Sequence, residues 1–167
     1  FRLKDDASIA VGFDNPMQVS MAGRIGNTVS INGRVPHRFM VRGGERIRSR
    51  LINAASARIF GPRVKDHSPL VIALDGRPIE PHTPEGGRVV LGLAMRTDLI
   101  FDMMGEPGRS AAVIDTFYEG RTHKLVDLAY NDQPPVRTDL PPPPKKLPRN
   151  KMPEPDLEHA QRHNPPQ

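Results

Sequence analysis

Three arginines alternate along Arg46-Ile47-Arg48-Ser49-Arg50, with Arg34, Arg38 and Arg42 just upstream. On an extended chain, alternate residues share one face. Guanidinium groups spaced in that way can hold an anion, or pair with carboxylates on a neighbouring surface. A solvated sheet face would show the same pattern. Nucleic acid fits poorly, because stacking needs interleaved aromatics and only Phe39 and Phe60 lie nearby, with no Trp in the chain. Arg46, Arg48 and Arg50 are therefore the candidates for an interdomain or partner contact, and no nucleic-acid partner is expected.

Other catalytic chemistry has little to build on. The chain has no Cys, which excludes disulfides, zinc ribbons, thiol nucleophiles and Cys-ligated blue copper. Its histidines are His37, His67, His82, His123, His159 and His163. His67 and His82 flank one apolar stretch, and a metal site there would need Asp66 or Glu85 as well; hydrogen-bonded loop histidines are the simpler reading. His159 and His163 would share a face only if their segment were helical. No Gly-x-Ser-x-Gly elbow exists, and Gly43-Gly44 and Gly86-Gly87 precede strand-like rather than helix-like sequence. Asp5-Asp6 and the Asp98/Asp102 pair could supply two carboxylates, although that spacing is common at surfaces and strand ends. No catalytic, cofactor-binding or metal-ligating residue is assigned.

The elements that would position these residues read as short strands. The chain has 167 residues, room for one domain and a tail. Residues 134–167 hold 11 of the 19 prolines. Their apolar residues are too few to offset the ordering entropy of a core of their own. The expected division is a folded body over 1–133 and a proline-rich linker over 134–167. Pro141–Pro144 would make that linker an extended spacer. Of the net charge of +5, the body accounts for 18 basic and 15 acidic residues, which is not the balance of a strongly basic nucleic-acid binder.

Within the body, Lys4 to Gly26 is polar and glycine-interrupted and reads as a loop. Thr28–Ile31 alternates and ends in an Asn32-Gly33 turn. Glu45–Asn53 alternates most clearly, with Ile47, Ser49 and Leu51 on one side and the three arginines on the other. Ala57–Lys65 follows, with Pro62 placing it at an edge or bulge. Leu70–Leu74 and Arg77–Glu80 make a hairpin about Asp75-Gly76. Arg88–Leu93, Arg96–Met103, Arg109–Phe117 and Arg121–Ala129 complete the set. Arg96 and Asp98 fall on one strand face, where a local ion pair is expected. About eight short strands with regular turns indicate an all-β sandwich or barrel. The longest clean apolar run, Leu70–Leu74, is far below the roughly 18 residues of a membrane helix. No membrane span is expected. The chain opens on Phe1 with no basic-then-apolar leader, which suits a processed protein or an excised fragment alike.

One ordered set of motifs is more specific than any of its parts. Ile31-Asn32-Gly33-Arg34-Val35-Pro36 precedes Gly44-Glu45-Arg46-Ile47-Arg48-Ser49-Arg50-Leu51-Ile52-Asn53-Ala54. Ala57-Arg58-Ile59-Phe60, His67, Val71-Ile72-Ala73-Leu74-Asp75-Gly76 and Arg96-Thr97-Asp98-Leu99 follow in order. The set resembles the middle domain of three-domain, laccase-like multicopper oxidases, closely over Thr28–Asp102 and more loosely to Tyr130. Leu147–Arg162 is similar to the linker that leads into the next domain of such proteins.

The resemblance implies a cupredoxin-like Greek-key β-sandwich with a proline-rich C-terminal tail. It also implies copper in the parent protein, flanking cupredoxin domains as partners, and a periplasmic or secreted location. Family members hold copper with paired His-x-His motifs and a His₂Cys site. In this chain no two histidines are separated by one residue and Cys is absent, as befits a copper-free, non-catalytic middle domain bridging the copper-bearing first and third domains. The chain alone is expected to be inactive. The other expectation is a domain of a copper-free scaffold of the same fold, which would use its Arg-rich strand for partner or anion binding.

Overall fold

A computed structural model describes residues 2–12, 14–17, 23–35 and 38–149. His37, His159, His163 and much of the linker-like stretch Leu147–Arg162 lie outside the described residues. Among the described residues eight strands form two four-stranded sheets. One sheet contains β1 (Arg38–Val41), β8 (His123–Tyr130), β7 (Ser110–Asp115) and β3 (Pro62–Val64), in that spatial order. The other contains β2 (Glu45–Ile52), β6 (Arg96–Met103), β4 (Leu70–Leu74) and β5 (Arg77–His82). A 3₁₀ turn at Glu85–Gly87 stands between β5 and β6. The expected all-β sandwich is what the chain adopts.

Alternation drives the packing. Thr97, Leu99, Phe101 and Met103 of β6 are buried while the residues between them are not. Ile47 and Leu51 of β2 pack on the same interior, which also takes Val41, Val64, Val71, Val89, Ala111 and Tyr130. A one-residue slip of β2 against β6 would put arginines where Ile47 and Leu51 now sit, so the pattern itself fixes the register. The Asp75-Gly76 hairpin forms between β4 and β5 as the sequence indicates, with both residues at positive φ (46° and 81°).

The strand expectations need four corrections. Thr28–Ile31 is not a strand; Ile31 and Arg34 form a lone bridge across the Asn32-Gly33 turn. Ala57–Lys65 shortens to Pro62–Val64, and Arg88–Leu93 reduces to isolated bridges, Phe60 with Leu91 and Arg63 with Arg88. Pro62 has no N–H to donate; its carbonyl accepts from Val89, so a ladder cannot run through it. Conversely, Arg38–Val41 is a strand, parallel to β8. Three of its four residues are exposed, so it shows no alternation to read.

Over its described residues the proline-rich segment does not stand off from the body. Over 134–149 it lies along the outside of the β2–β6–β4–β5 sheet. Val136 N–H donates to the Gly43 carbonyl at 2.7 Å, and Arg42 Nε to the Pro134 carbonyl at 2.7 Å. Pro141, Pro144 and Leu147 are half-buried while the residues between them are exposed. That period of three is the period of a polyproline II helix resting one edge on a surface. Gly44 permits the approach: its φ is +75°, and a Cβ there would strike the backbone of Arg137.

Candidate functional site

The outer face of the β2–β6–β4–β5 sheet carries the three candidate arginines, and each has a different environment. Arg46 and Asp102 face each other in register. Arg46 Nε donates to Asp102 Oδ1 at 2.6 Å and Nη2 to Oδ2 at 2.8 Å, a two-pronged pair. Such a fork fixes orientation as well as charge. The same guanidinium donates from Nη1 to the Pro142 carbonyl at 2.7 Å, and from Nη2 to that of Pro141 at 3.3 Å. The hydrogen bond to Asp102, outweighing the cost of desolvation, holds the guanidinium proton more firmly than usual. Arg46 is thus engaged within the chain.

Arg48 reaches diagonally to Asp98, with Nε 3.1 Å and Nη2 2.5 Å from Oδ2. Arg50, which stands directly opposite Asp98 in register, comes no nearer than 3.6 Å and is 68% exposed. The expected Arg96–Asp98 pair does not form. Asp98 is taken from the adjacent strand, because direct and diagonal neighbours across a sheet are close enough for long side chains. Arg96 turns instead to the hairpin, its Nη2 3.4 Å from the Asp75 carbonyl. Asp98 and Asp102 are consequently neutralised separately and do not form a carboxylate pair. Asp6 is held below the usual carboxylate range by the hydroxyl and backbone N–H of Ser8.

Two of the described histidines, His67 and His82, hydrogen-bond within the chain. His67 Nε2 lies 2.7 Å from the Tyr130 hydroxyl and Nδ1 2.8 Å from the Lys65 carbonyl. Nδ1 must carry the proton to bond a carbonyl, so in the neutral imidazole Nε2 accepts from the tyrosine O–H. Tyr130 is buried, and burial pushes its hydroxyl pKa up, with a hydrogen bond from the Gly105 backbone opposing the shift. Gly105 is required there, since a Cβ would fall 2.5 Å from the tyrosine ring. His82 Nδ1 contacts the Glu80 carbonyl at 3.1 Å. Among the described residues, no three His, Cys, Asp or Glu side chains are grouped as a metal site. With no Cys in the chain, and with both His67 nitrogens engaged, the described residues do not fit a copper centre.

Sequence reasoning missed two features. One is the hold of Arg46 and Arg42 on the proline-rich segment. The other is a buried ion pair: Arg58 Nη2 and Nε lie 2.9 and 3.3 Å from Asp115 Oδ2. The Gly61 and Phe117 backbone N–H groups donate to Asp115 Oδ1. Arg58 also sits over the rings of Phe60 and Tyr118, 5.5 Å from each centroid. The Ala57-Arg58-Ile59-Phe60 motif placed the arginine, but nothing local points to a partner 57 residues away.

Comparison with known proteins gives one consistent answer. The family model for multicopper oxidases matches residues 5–130. No curated protein matches in sequence. Among solved structures, the chain is similar to a multi-copper oxidase from Pseudomonas thermotolerans at 26% identity and a TM-score of 0.71, covering 95% of this chain and 36% of that one. The multi-copper oxidase of Pseudomonas parafulva gives 28% and 0.69, over 92% and 36%. Lac15 from a marine microbial metagenome gives 30% and 0.58, over 71% and 30%. The chain therefore spans about a third of the length of these structures.

Proposed function

The chain belongs to the multicopper oxidase family, and on that premise we propose that it is the middle, copper-free cupredoxin domain of a three-domain oxidase, bridging copper-bearing first and third domains. The observation that carries this reading is the coverage: nearly all of the chain aligns within about a third of a neighbouring oxidase, while the sequence holds no Cys and no three metal-ligating side chains are grouped among the described residues. The body over 1–133 would be the bridging domain and 134–167 the path to the domain that follows. Arg46 would act on interdomain geometry through that path: by fixing Pro141 and Pro142 it sets where the linker leaves the sandwich. Arg48 and Arg50 stay on the outward face, Arg48 engaged by Asp98 and Arg50 available to a neighbour.

In the whole protein, copper would supply one-electron oxidation of a reducing substrate coupled to dioxygen reduction. This chain would supply none of those electrons. Its flanking domains are its partners in this reading, and the periplasm or exterior its location, as family membership suggests. The test is oxygen uptake with a phenolic reductant and added Cu(II). The isolated chain is expected to consume no more oxygen than copper alone, and turnover by the isolated chain would overturn the assignment.

A further inference from the structure

A cleft of about 540 Å³ opens between the outer face of the β2–β6–β4–β5 sheet and residues 147–149 of the proline-rich segment. Its walls bring together Arg48, Arg50, Arg96 and Arg149, with Asp98 the one acidic residue among them and Leu147 on the far side. Four guanidinium groups against one carboxylate leave a strong local excess of positive charge.

The arginines are not equally committed. Asp98 is hydrogen-bonded by Arg48, and Arg50 pairs with it only loosely, at 3.6 Å and without a hydrogen bond. Arg96 makes one long bond to a backbone carbonyl. Arg149 has no ion pair among the described residues. Three forks thus keep donors available, and they come from three separate places: β2, β6 and the proline-rich segment. We propose that this cleft is a binding site for a small multivalent oxyanion, a di- or tricarboxylate or a condensed phosphate, gripped by Arg50, Arg96 and Arg149. Planar guanidinium forks match carboxylate and phosphate oxygens two at a time. Several anionic groups on one molecule would meet several forks at once, which a monovalent ion cannot do. The proposal does not rest on the bridging role.

The test is calorimetric titration of the chain with citrate and, separately, with pyrophosphate, against sodium chloride at matched ionic strength. Saturable one-to-one binding by either anion, absent with chloride, is expected; the stronger of the two identifies the ligand class. Arg50→Ala and Arg149→Ala should each weaken it by roughly tenfold or more, the loss of one charge-assisted fork. Arg109→Ala, at an exposed arginine outside the cleft, should leave affinity unchanged. Binding that is absent, that chloride reproduces, or that falls equally in all three variants would overturn the proposal. Both cleft substitutions are at exposed side chains, and retained thermal unfolding of each variant separates lost binding from lost fold.

Discussion

Arg46 and Asp102 stand opposite each other on neighbouring strands, and the guanidinium that closes both bonds to that carboxylate also holds the carbonyls of Pro141 and Pro142. One side chain therefore ties the sheet register to the path of the proline-rich segment. Asp102 orients the guanidinium and leaves its remaining donors aimed outward, where the Pro141 and Pro142 carbonyls accept them.

Removing that clamp should free the segment before it unfolds the body. Arg46→Ala is expected to cost about 1–2 kcal/mol, because the pair is part-buried rather than fully exposed. Trypsin cleavage at Arg137, Lys145 and Lys146 should accelerate several-fold as local opening becomes easier. Unchanged cleavage at these sites would show that the segment is held by its apolar contacts instead.

The Arg58–Asp115 pair is a larger stake. Asp115 is buried and Arg58 nearly so. Asp115→Ala would leave a guanidinium and two backbone N–H groups without their acceptor, at a cost of about 3–5 kcal/mol. Asp115→Asn keeps an oxygen for Gly61 and Phe117 and should cost less. Urea unfolding of both variants reads the order directly; equal losses would mean that the charge matters and the two N–H bonds do not.

Tyr130 sets a pH dependence. Its pKa in the folded chain lies above the ordinary value of 10.0. Between that value and the folded one, the native state holds a proton that the unfolded state has released, so stability falls as pH rises through this window. Below it the contribution is fully present. The chain has two tyrosines and no tryptophan, so phenolate absorbance reports them cleanly. Tyr130→Phe should abolish the late part of the absorbance rise and flatten the alkaline loss of stability. An unchanged alkaline slope in that variant would contradict the assignment.

Thr97 is 1% exposed, and its hydroxyl has no hydrogen-bond partner among the described residues. It shares the inward face of β6 with Leu99, Phe101 and Met103. Thr97→Val keeps the shape and removes the unpaired group, and should raise stability by about 1 kcal/mol. A lowered urea midpoint would show that the hydroxyl is satisfied by water.

The sequence was most readable where a strand has one wet and one buried face. In β2 and β6 the alternation of arginine or aspartate with apolar residues gives both the element and its orientation, and Asp75-Gly76 gives its own hairpin. Reading failed where structure depends on distant partners. β1 is an edge strand paired in parallel with β8, and its exposed residues carry no period. Arg88–Leu93 looks like a strand by composition, but its partner contains Pro62. Asp98 lies nearer in sequence to Arg96, and the sheet delivers it to Arg48. Prolines announce an extended segment, yet their own chemistry does not say that it will lie on a row of arginines.

Copper content after loading with Cu(II) and desalting decides whether this domain builds a copper centre. The comparison needs the native chain and a variant with His159 and His163 changed to Ala, since those histidines could hold a metal ion loosely. No copper is expected to remain on the variant. Close to one copper per chain in the variant, lost on His67→Ala or His82→Ala, would contradict it and place a metal site in the sandwich itself.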